Sequence, residues 1–582
     1  MSFRRSFGRR YADYRWSVLG VAAIVAFTLG WIGYRQVPDL HPSPSDAAYD
    51  SLMLFLLESS PDRTRLPVAL DIARFLAPAL AGYAGLTAFA SLFRDRLQQM
   101  RIPLMRGHVV VCGLGYVGTV FLRHLRDAGT RVVVIEAEPA YQHIDLCRSW
   151  GIPLIVGDAQ LKRTLQSAGV ERAARLLAVT SLDAVNAEIV AVARQLVTGR
   201  SRGALRCLAH ISDAQLCALL QIQEIKRTNA AVSSLDFFNT DEISARLLLE
   251  EYPAAAGDDQ PHILVSELDD LGAWVVVRAA RDWYDRRGDD TTPLLVTVVD
   301  DGDPQHLRTL LGQHPVLERV CRFVSSSASI RDIQELPGHH RDAMFPRLTR
   351  AYVSAYSDEQ ALETALILRH ELDSDVPLVV ALSRSEGVTR LIGDAKSVGA
   401  PISIDVFPTL ERVCTVELVK GGSFEVIATA IHRRWRAEQL AAGKPAPSWS
   451  ELDESRKESS REQARDIAAK LRSIGCEIAP LRDWAASDFT FTPDEKEMLA
   501  VAEHDRWVRE RRESGWTLGD RDPEQKKTPY LVPFEELPSD IAEYDRVFVR
   551  EIPTLLASVG IQIFRTNELI HRCSSPSQTC SP

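Results

Sequence analysis

The sequence predicts an α/β protein with a membrane part. It reads as a two-helix transmembrane hairpin, two doubly wound parallel-sheet domains, the second degenerate, and a mainly α-helical C-terminal domain. Three observations predict this. Two uncharged apolar runs lie within the first hundred residues, a β-branched run leads straight into a glycine-rich turn and an amphipathic helix, and the same pattern returns from His262 without most of its glycines. The 582 residues carry 68 Lys+Arg against 78 Asp+Glu, a net charge of −10, with 46% hydrophobic and 25% charged residues. That is acidic globular composition, which excludes a largely disordered chain and a basic nucleic-acid-binding class.

The first run, Trp16 to Tyr34, contains no charge, and neither does the second, Phe75 to Phe93. Each approaches the ~20 residues that cross a hydrocarbon core, and Leu66–Arg74 extends the second. Aromatic residues near both ends suit interfacial anchoring. A cleaved signal peptide is the alternative for the first run, disfavoured by its length and by the second run that follows. Arg4, Arg5, Arg9, Arg10 and Arg15 precede the first span, and Arg94, Arg96, Arg101 and Arg106 follow the second. Both flanks are therefore expected in the cytoplasm of a bacterial-type inner (plasma) membrane, with both termini inside. Between the spans, Tyr49–Asp62 holds an apolar run too short to cross, a candidate re-entrant or interfacial helix. Span, short helix, span is the order of a two-helix pore. A potassium filter, however, needs a TVGYG-like run of carbonyls, and Glu58–Thr64 reads ESSPDRT. Pore and plain anchor both stay open.

The next segment predicts a nucleotide-binding unit. His108–Gly118 reads HVVVCGLGYVG, and an amphipathic helix, Thr119–Ala128, and a strand, Arg131–Ile135, ending in Glu136, follow. Gly113 permits the tight turn, Gly115 lets bare backbone approach a pyrophosphate, and Gly118 allows close helix–strand packing. Leu114, Tyr116 and Val117 complete the turn, whose helix N-terminus offers free N–H groups to phosphates. Glu136 is placed to accept hydrogen bonds from ribose hydroxyls. Strands at Ile152–Ala159 and Leu205–Ile211, with a strand, turn and helix start over Leu176–Asn186 between them, continue the alternation and bring Asp158 and Thr180 to the carboxyl edge, where ligands bind in such folds. Helix capping is the alternative for residues there, and Asp183 is a candidate N-cap. A dinucleotide or adenine-nucleotide site is expected, a vacated fold being the alternative.

The runs VVVCGLGYVG, VIEAEP, VGDA and AVTSLDAVNAEIVAVAR, over about Gly107–Asp241, resemble the TrkA-N type Rossmann domain, also called RCK. The resemblance implies a cofactor, NAD(H) or ATP/ADP, control of an attached channel or transporter of potassium type, and a homo-oligomer, dimer or tetramer. Two spans followed by such a domain is the layout of two-helix potassium channels, from which the missing filter departs.

The unit repeats. HILVSELDDLG (His262–Gly272) overlays HVVVCGLGYVG without a gap, so Glu267 stands for Gly113, Asp269 for Gly115, and Gly272 keeps the third glycine. Leu294–Asp300 overlays the Glu136 strand, and Arg350–Arg369 overlays RLLAVTSLDAVNAEIVAVAR, with Ala355 for Thr180 and Asp358 for Asp183. Pro377–Arg384 gives a further strand. Two acids where a pyrophosphate would lie predict a structural platform that binds no dinucleotide.

From Gly443 the rhythm changes to helices, at Glu462–Gly475, Glu495–Trp516 and Ile552–Ile561, after a charged run at Glu451–Arg465. Trp449, Arg461, Glu503, His504, Trp507, Gly515, Trp516, Lys527, Pro529 and Pro533 together resemble the ryanodine-receptor repeat (RyR) domain, from about Phe424 to Phe564. Thr528 stands where the family often has histidine. The resemblance implies a small nucleotide-derived ligand. Trp507 and Trp516 could stack on a base, and Arg461, His504, Arg506 and Lys527 could meet phosphates; a core role for the tryptophans is the alternative.

The expected division is 1–106 hairpin with a candidate re-entrant segment, 107–250 and 251–422 Rossmann/RCK units, 423–566 RyR domain and 567–582 disordered tail. The nine cysteines form no CxxC or zinc pattern and read as reduced small hydrophobes. His339-His340 lacks ligand spacing. Walker A, HExxH and GxSxG are absent from the sequence. The expectation is a nucleotide-sensing, ligand-gated membrane protein of potassium-channel type. It is not an enzyme, and its partners are the membrane, itself and a small ligand rather than a nucleic-acid polymer. The alternative is a membrane-anchored nucleotide-sensing effector, for example in phage defence, that permeabilises the membrane without selectivity.

Overall fold

The structure, a computed structural model, describes residues 3–37, 42–57, 66–92, 99–197, 204–226, 233–255, 257, 259–288, 290–300, 304–326, 348–383, 403–482, 484–522 and 524–566. It divides into two compact units, Met1–Arg101 and Ile102–Pro582.

The first unit is a helical hairpin of α1 (Phe3–Arg35), α2 (Pro44–Met53) and α3 (Val68–Leu92). Val18–Arg35 and Val68–Thr87 are long and apolar enough to cross a membrane. The extension of the second run before Phe75 is thus helical. Gly33 lets α1 approach α3 closely, since a Cβ there would lie 2.6 Å from the Leu70 backbone nitrogen. Ala26, Ala47, Leu54, Leu70, Ala73 and Ala77 form the small core, while Val21, Ile24, Phe75 and Leu86 point outward. The short helix begins at Pro44 rather than near Tyr49, because Ser43 caps it and Pro44 pre-sets its first turn. The filter-position loop Glu58–Thr64, the start of the linker at Arg94, the His339-His340 pair and the tail from Asn567 lie outside the described residues.

The second unit contains two six-stranded parallel sheets. The first comprises β1 (Val109–Cys112), β2 (Val132–Glu136), β3 (Leu154–Val156), β4 (Arg175–Ala178), β5 (Leu205–His210) and β6 (Ser233–Phe238), ordered β3-β2-β1-β4-β5-β6. Its helices are α4 (Tyr116–Asp127), α5 (Tyr141–Trp150), α6 (Lys162–Ser167), α7 (Asp183–Val197) and α8 (Ala214–Lys226). Apolar β-branched strands, buried on both faces, give this doubly wound order. α9 (Thr240–Glu251), capped by Asn239, leads into the second sheet. That sheet holds β7 (His262–Ser266), β8 (Leu294–Val299), β9 (Cys321–Ser326), β10 (Arg350–Val353), β11 (Leu378–Leu382) and β12 (Asp405–Pro408). Its order, β12-β11-β10-β7-β8-β9, is the first sheet's read from the other end. Its helices are α10 (Asp270–Arg287), α11 (Pro304–Gln313), α12 (Leu317–Val320) and α13 (Asp358–Glu371).

After β12 the chain leaves the second sheet. α14 (Thr409–Val413) and α15 (Val416–Gly421) pack on the first, where Leu410, Val413, Cys414 and Leu418 join the core of Val109, Leu122 and Leu125. Glu411 accepts from Arg123 at 3.0 Å and pairs with His124 at 2.9 Å.

The C-terminal part has α16 (Ser423–Ala441), α17 (Glu454–Ser473), α18 (Pro493–Glu513) and α19 (Ser539–Ser558). It is mainly helical, as expected, with an added antiparallel pair, β13 (Cys476–Pro480) with β16 (Ile561–Arg565), and a two-residue pair, β14 (Thr517–Leu518) with β15 (Lys527–Thr528). Two expectations change. The charged run Glu451–Arg465 is not a break: α17 starts within it at Glu454, capped by Asp453. The last helix ends at Ser558, and Ile561 opens a strand whose alternate isoleucines, Ile561 and Ile563, are buried. All seven described cysteines are buried. Burial pushes Cys147 up to about 11 and Cys207 up to about 12, so they stay thiols.

Candidate functional site

At the carboxyl end of β1 the chain turns through three glycines into α4. Gly113 has φ +101°, and a Cβ there would lie 2.9 Å from the Val179 carbonyl oxygen. At Gly118 a Cβ would come within 2.1 Å of the Gly113 oxygen, so that glycine sets how closely helix and strand pack. Gly115 is the N-cap of α4 and differs from both, since a Cβ there would meet nothing within 4 Å. Bare backbone at a helix N-terminus thus faces open space, which fits a phosphate group. Leu114 is fully buried, Val117 packs against the core and Tyr116 is exposed. The Leu114 N–H donates to Glu136 Oε2 at 2.6 Å, and the Glu138 N–H donates to the other oxygen at 3.2 Å. The expected ribose acceptor therefore lies directly on the glycine turn.

Asp158 is exposed and accepts from the Gln160 N–H at 2.8 Å, so it caps its own turn. Thr180 is bound to Asn186, its hydroxyl and its N–H each donating to Oδ1 at 2.8 Å. Asn186 is fully buried and also donates to the His210 carbonyl. Asp183 does not precede α7 as an N-cap. It is the helix's first residue and accepts from Ser212 N–H at 2.8 Å and Asp213 N–H at 3.2 Å. Asp358, its counterpart, accepts from Ser383 N–H at 2.8 Å. This aspartate ties adjoining loops together in both sheets.

In the second sheet the corresponding turn is filled by its own side chains. Glu267 has φ +54° and is buried, and Gln360 Nε2 donates to it at 2.7 Å. Asp269 caps α10, accepting from the Gly272 N–H at 2.7 Å and from Ser354 Oγ at 2.8 Å. Burial raises its carboxyl, an effect opposed by those two hydrogen bonds. Gly272 is as crowded as Gly118, its Cβ position lying 2.2 Å from the Glu267 oxygen.

The C-terminal helices enclose a cavity of about 950 Å³. Trp507 and Trp516 both line it, with Arg511 between them, its guanidinium 5.5 Å and 4.9 Å from the two ring centres. Arg521 and Lys526 stand on the same wall, and neither they nor Arg511 pair with a carboxylate among the described residues. Trp435 of α16, Arg456 of α17, and Asp545 and Glu551 of α19 line the cavity too. Burial raises both of these carboxyls.

Residues 109–229 match the family profile of the TrkA-N domain, and residues 493–565 that of the RyR domain. The chain carries both domains. Over 108 residues it is 31% identical to potassium channel protein 1 of Methanocaldococcus jannaschii, a match covering 19% of this chain and 32% of that protein. Over 209 residues it is 27% identical to the Trk system potassium uptake protein TrkA of Streptomyces coelicolor, covering 34% of this chain and 89% of that one. A solved structure of the GsuK channel bound to NAD overlaps 81% of this chain and 87% of its own, at 13% identity and a TM-score of 0.37.

The TrkA-N turn gathers Gly113 to Gly118 and Glu136 at one point, and leaves Asp158 and Thr180 in local hydrogen bonds. In the RyR region the structure separates the candidates. Trp507 and Trp516 line the cavity rather than sinking into the core. Arg461 does not face it: the side chain is wholly buried and paired with Glu425 at 2.5 Å, Glu454 at 2.6 Å and Glu458 at 3.1 Å. His504 is buried beside Trp507 and bonds to the Val532 carbonyl at 2.8 Å. Burial lowers its pKa, but Asp545 and that carbonyl outweigh this and raise it. Lys527 is half-buried and donates to Gln525, and its neighbour Lys526 is the lysine on the cavity wall. Arg506 lines the cavity but is held by Glu503 and Glu510. Trp435, Arg456, Arg511 and Arg521 escaped the sequence reading. Arg511 had a signal, since it stands four residues after Trp507 on one helix and so shares its face.

Proposed function

We propose that this protein is a nucleotide-sensing membrane protein of potassium-transport type, not an enzyme, in which cytoplasmic TrkA-N and RyR domains control a two-helix membrane part. The division at 1–106, 107–250, 251–422, 423–566 and 567–582 belongs to this reading. So do an inner-membrane location with both termini cytoplasmic, and a homo-oligomer. The observation that carries it is the Gly115 turn, open where a pyrophosphate would lie and flanked by Glu136 at the ribose position. Gly113, Leu114, Gly115, Tyr116, Val117, Gly118 and Glu136 would hold NAD(H) or ATP/ADP, with Asp158 and Thr180 at the rim. The bound nucleotide acts by binding one conformation better than another. The RyR cavity would take a second, nucleotide-derived ligand, its base stacked on the open face of Trp507 or Trp516 and its phosphates near Arg511, Arg521 and Lys526.

The test is potassium flux in liposomes containing the full chain, with NAD+, NADH, ADP or ATP. Ligand-dependent potassium flux is expected, and none with any of the four overturns the transport reading. The glycine-free ESSPDRT loop favours a second reading, an effector that permeabilises membranes without selectivity. Equal release of potassium, sodium and a small dye on ligand addition would establish it instead.

A further inference from the structure

A second cavity, of about 280 Å³, lies where the paired sheets meet the C-terminal helices. α9 and α10 supply one side, with Arg246, Glu250 and Arg278. α16 and α19 supply the other, with Arg433, Arg434, Arg550 and Glu551. Five guanidinium groups thus face two carboxylates around one space.

The pairing among them is uneven. Arg433 takes both oxygens of Glu250 at 2.6 Å, which leaves Arg246 at 3.6 Å from the same carboxylate. Arg434 is matched by Glu551 at 2.6 Å. Arg278 turns to Asp282 at 3.1 Å and donates to the Ser558 carbonyl at 2.7 Å. Arg550 is matched by Glu543 at 2.7 Å. Arg246 has the longest of these pairings; it is 8% exposed, and its Nε, like that of Arg278, is buried without a hydrogen-bond partner. Burial lowers its pKa, with Arg278 and Arg433 acting in the same direction against Glu242 and Glu250. A buried N–H donor with no acceptor, beside four further guanidinium groups, leaves a hydrogen bond for an anion's oxygen to accept.

We propose that this cavity is a separate ligand site for a phosphate-type anion: inorganic pyrophosphate or the phosphate chain of a nucleotide. The guanidinium fork matches phosphate oxygens two at a time. The space, about 280 Å³, is more than a single small ion needs. A polyanion there would be gripped from α9 and α10 on one side and from α16 and α19 on the other. It would thereby fasten the RyR region to the paired sheets.

The test titrates the full chain in detergent with sodium pyrophosphate at constant ionic strength, following heat of binding and the unfolding midpoint. Saturable binding and a raised midpoint are expected. Arg246→Gln and Arg278→Gln should each weaken binding at least tenfold. Arg546→Gln, which breaks an exposed pair with Glu497 outside the cavity, should leave it unchanged. If Arg246→Gln fails to fold, Arg433→Gln, half-exposed on the opposite wall, gives the same reading. No saturable binding, or equal binding in wild type and the cavity variants, overturns the proposal. ADP displacing pyrophosphate from a Gly115→Asp chain assigns the site to nucleotide phosphates; displacement by inorganic phosphate but not ADP assigns it to the free anion. Because Gly115→Asp removes the TrkA-N turn from the experiment, failure of the nucleotide reading there would not alter this result.

Discussion

The two glycine turns sit on the same fold, at the same point of two sheets with the same strand order, yet only one is open. In the first, Gly115 presents bare backbone to space and Glu136 waits beside it. In the second, Asp269 turns back to bind Gly272 N–H and Ser354, and Glu267 occupies a left-handed position suited to glycine. Only Gly118 and Gly272 are alike, because each is crowded by the backbone of its own turn. The difference separates two demands that the motif normally combines. The third glycine serves packing and is kept in both turns, whereas the second, uncrowded by protein, is kept only where the turn is open.

The largest expected effect comes from Gly115→Asp, which should lower nucleotide affinity at least a thousandfold, about 4 kcal/mol, while the unfolding midpoint stays unchanged. Calorimetry and thermal melting together check both halves of that statement. Next, Gly118→Ala and Gly272→Ala should each destabilise by about 2–3 kcal/mol through backbone overpacking, as read by denaturant unfolding. A much milder cost at Gly272 would break the equivalence of the two turns. Glu267→Gly should change stability by no more than about 1 kcal/mol, relief of the left-handed strain being offset by loss of the Gln360 hydrogen bond. It should confer no nucleotide binding while Asp269 remains, so heat of binding from an added second site would contradict the platform reading.

The smallest effect concerns pH. Asp241, near the second turn, is pushed up to about 7 by burial and by Asp270 and Asp269. From pH ~4 to ~7 the folded state keeps a proton that the unfolded chain releases. The stability this group contributes is complete below that window and is lost as pH rises through it. Asp241→Asn should therefore gain about 1–2 kcal/mol over wild type at pH 8 and little at pH 4, measured as the difference between two melting series.

Much of this architecture was legible because its signals are local. A β-branched run followed at once by GxGxxG fixes strand, turn and helix together, and the gapless overlay at His262 exposes the duplication. Within the two parallel sheets the strands missed were β6, β9 and β12, where SSLDFF, CRFVSS and DVFP mix polar residues with too few apolar ones to show a period. The RyR region misled for a different reason. Arg461 reads as a cationic surface residue, and only the tertiary arrival of Glu425 from α16 makes it a buried hub. Trp435 and Arg456 sit on separate helices, so no spacing in the sequence could bring them to the cavity that Trp507 lines.

The path of α14 and α15 has a consequence for how the molecule could be cut. They belong by chain order to the degenerate half, yet they complete the hydrophobic face beneath α4, the helix that begins at Gly115. A fragment ending near Glu250 would therefore lack part of its own interior, and the intact first half is an indivisible product of the whole duplication. Melting the second half strips cover from the first, so the pair should lose structure in a single cooperative event. Damage far along the chain, at residues that never meet a ligand, would then be felt as weaker nucleotide binding.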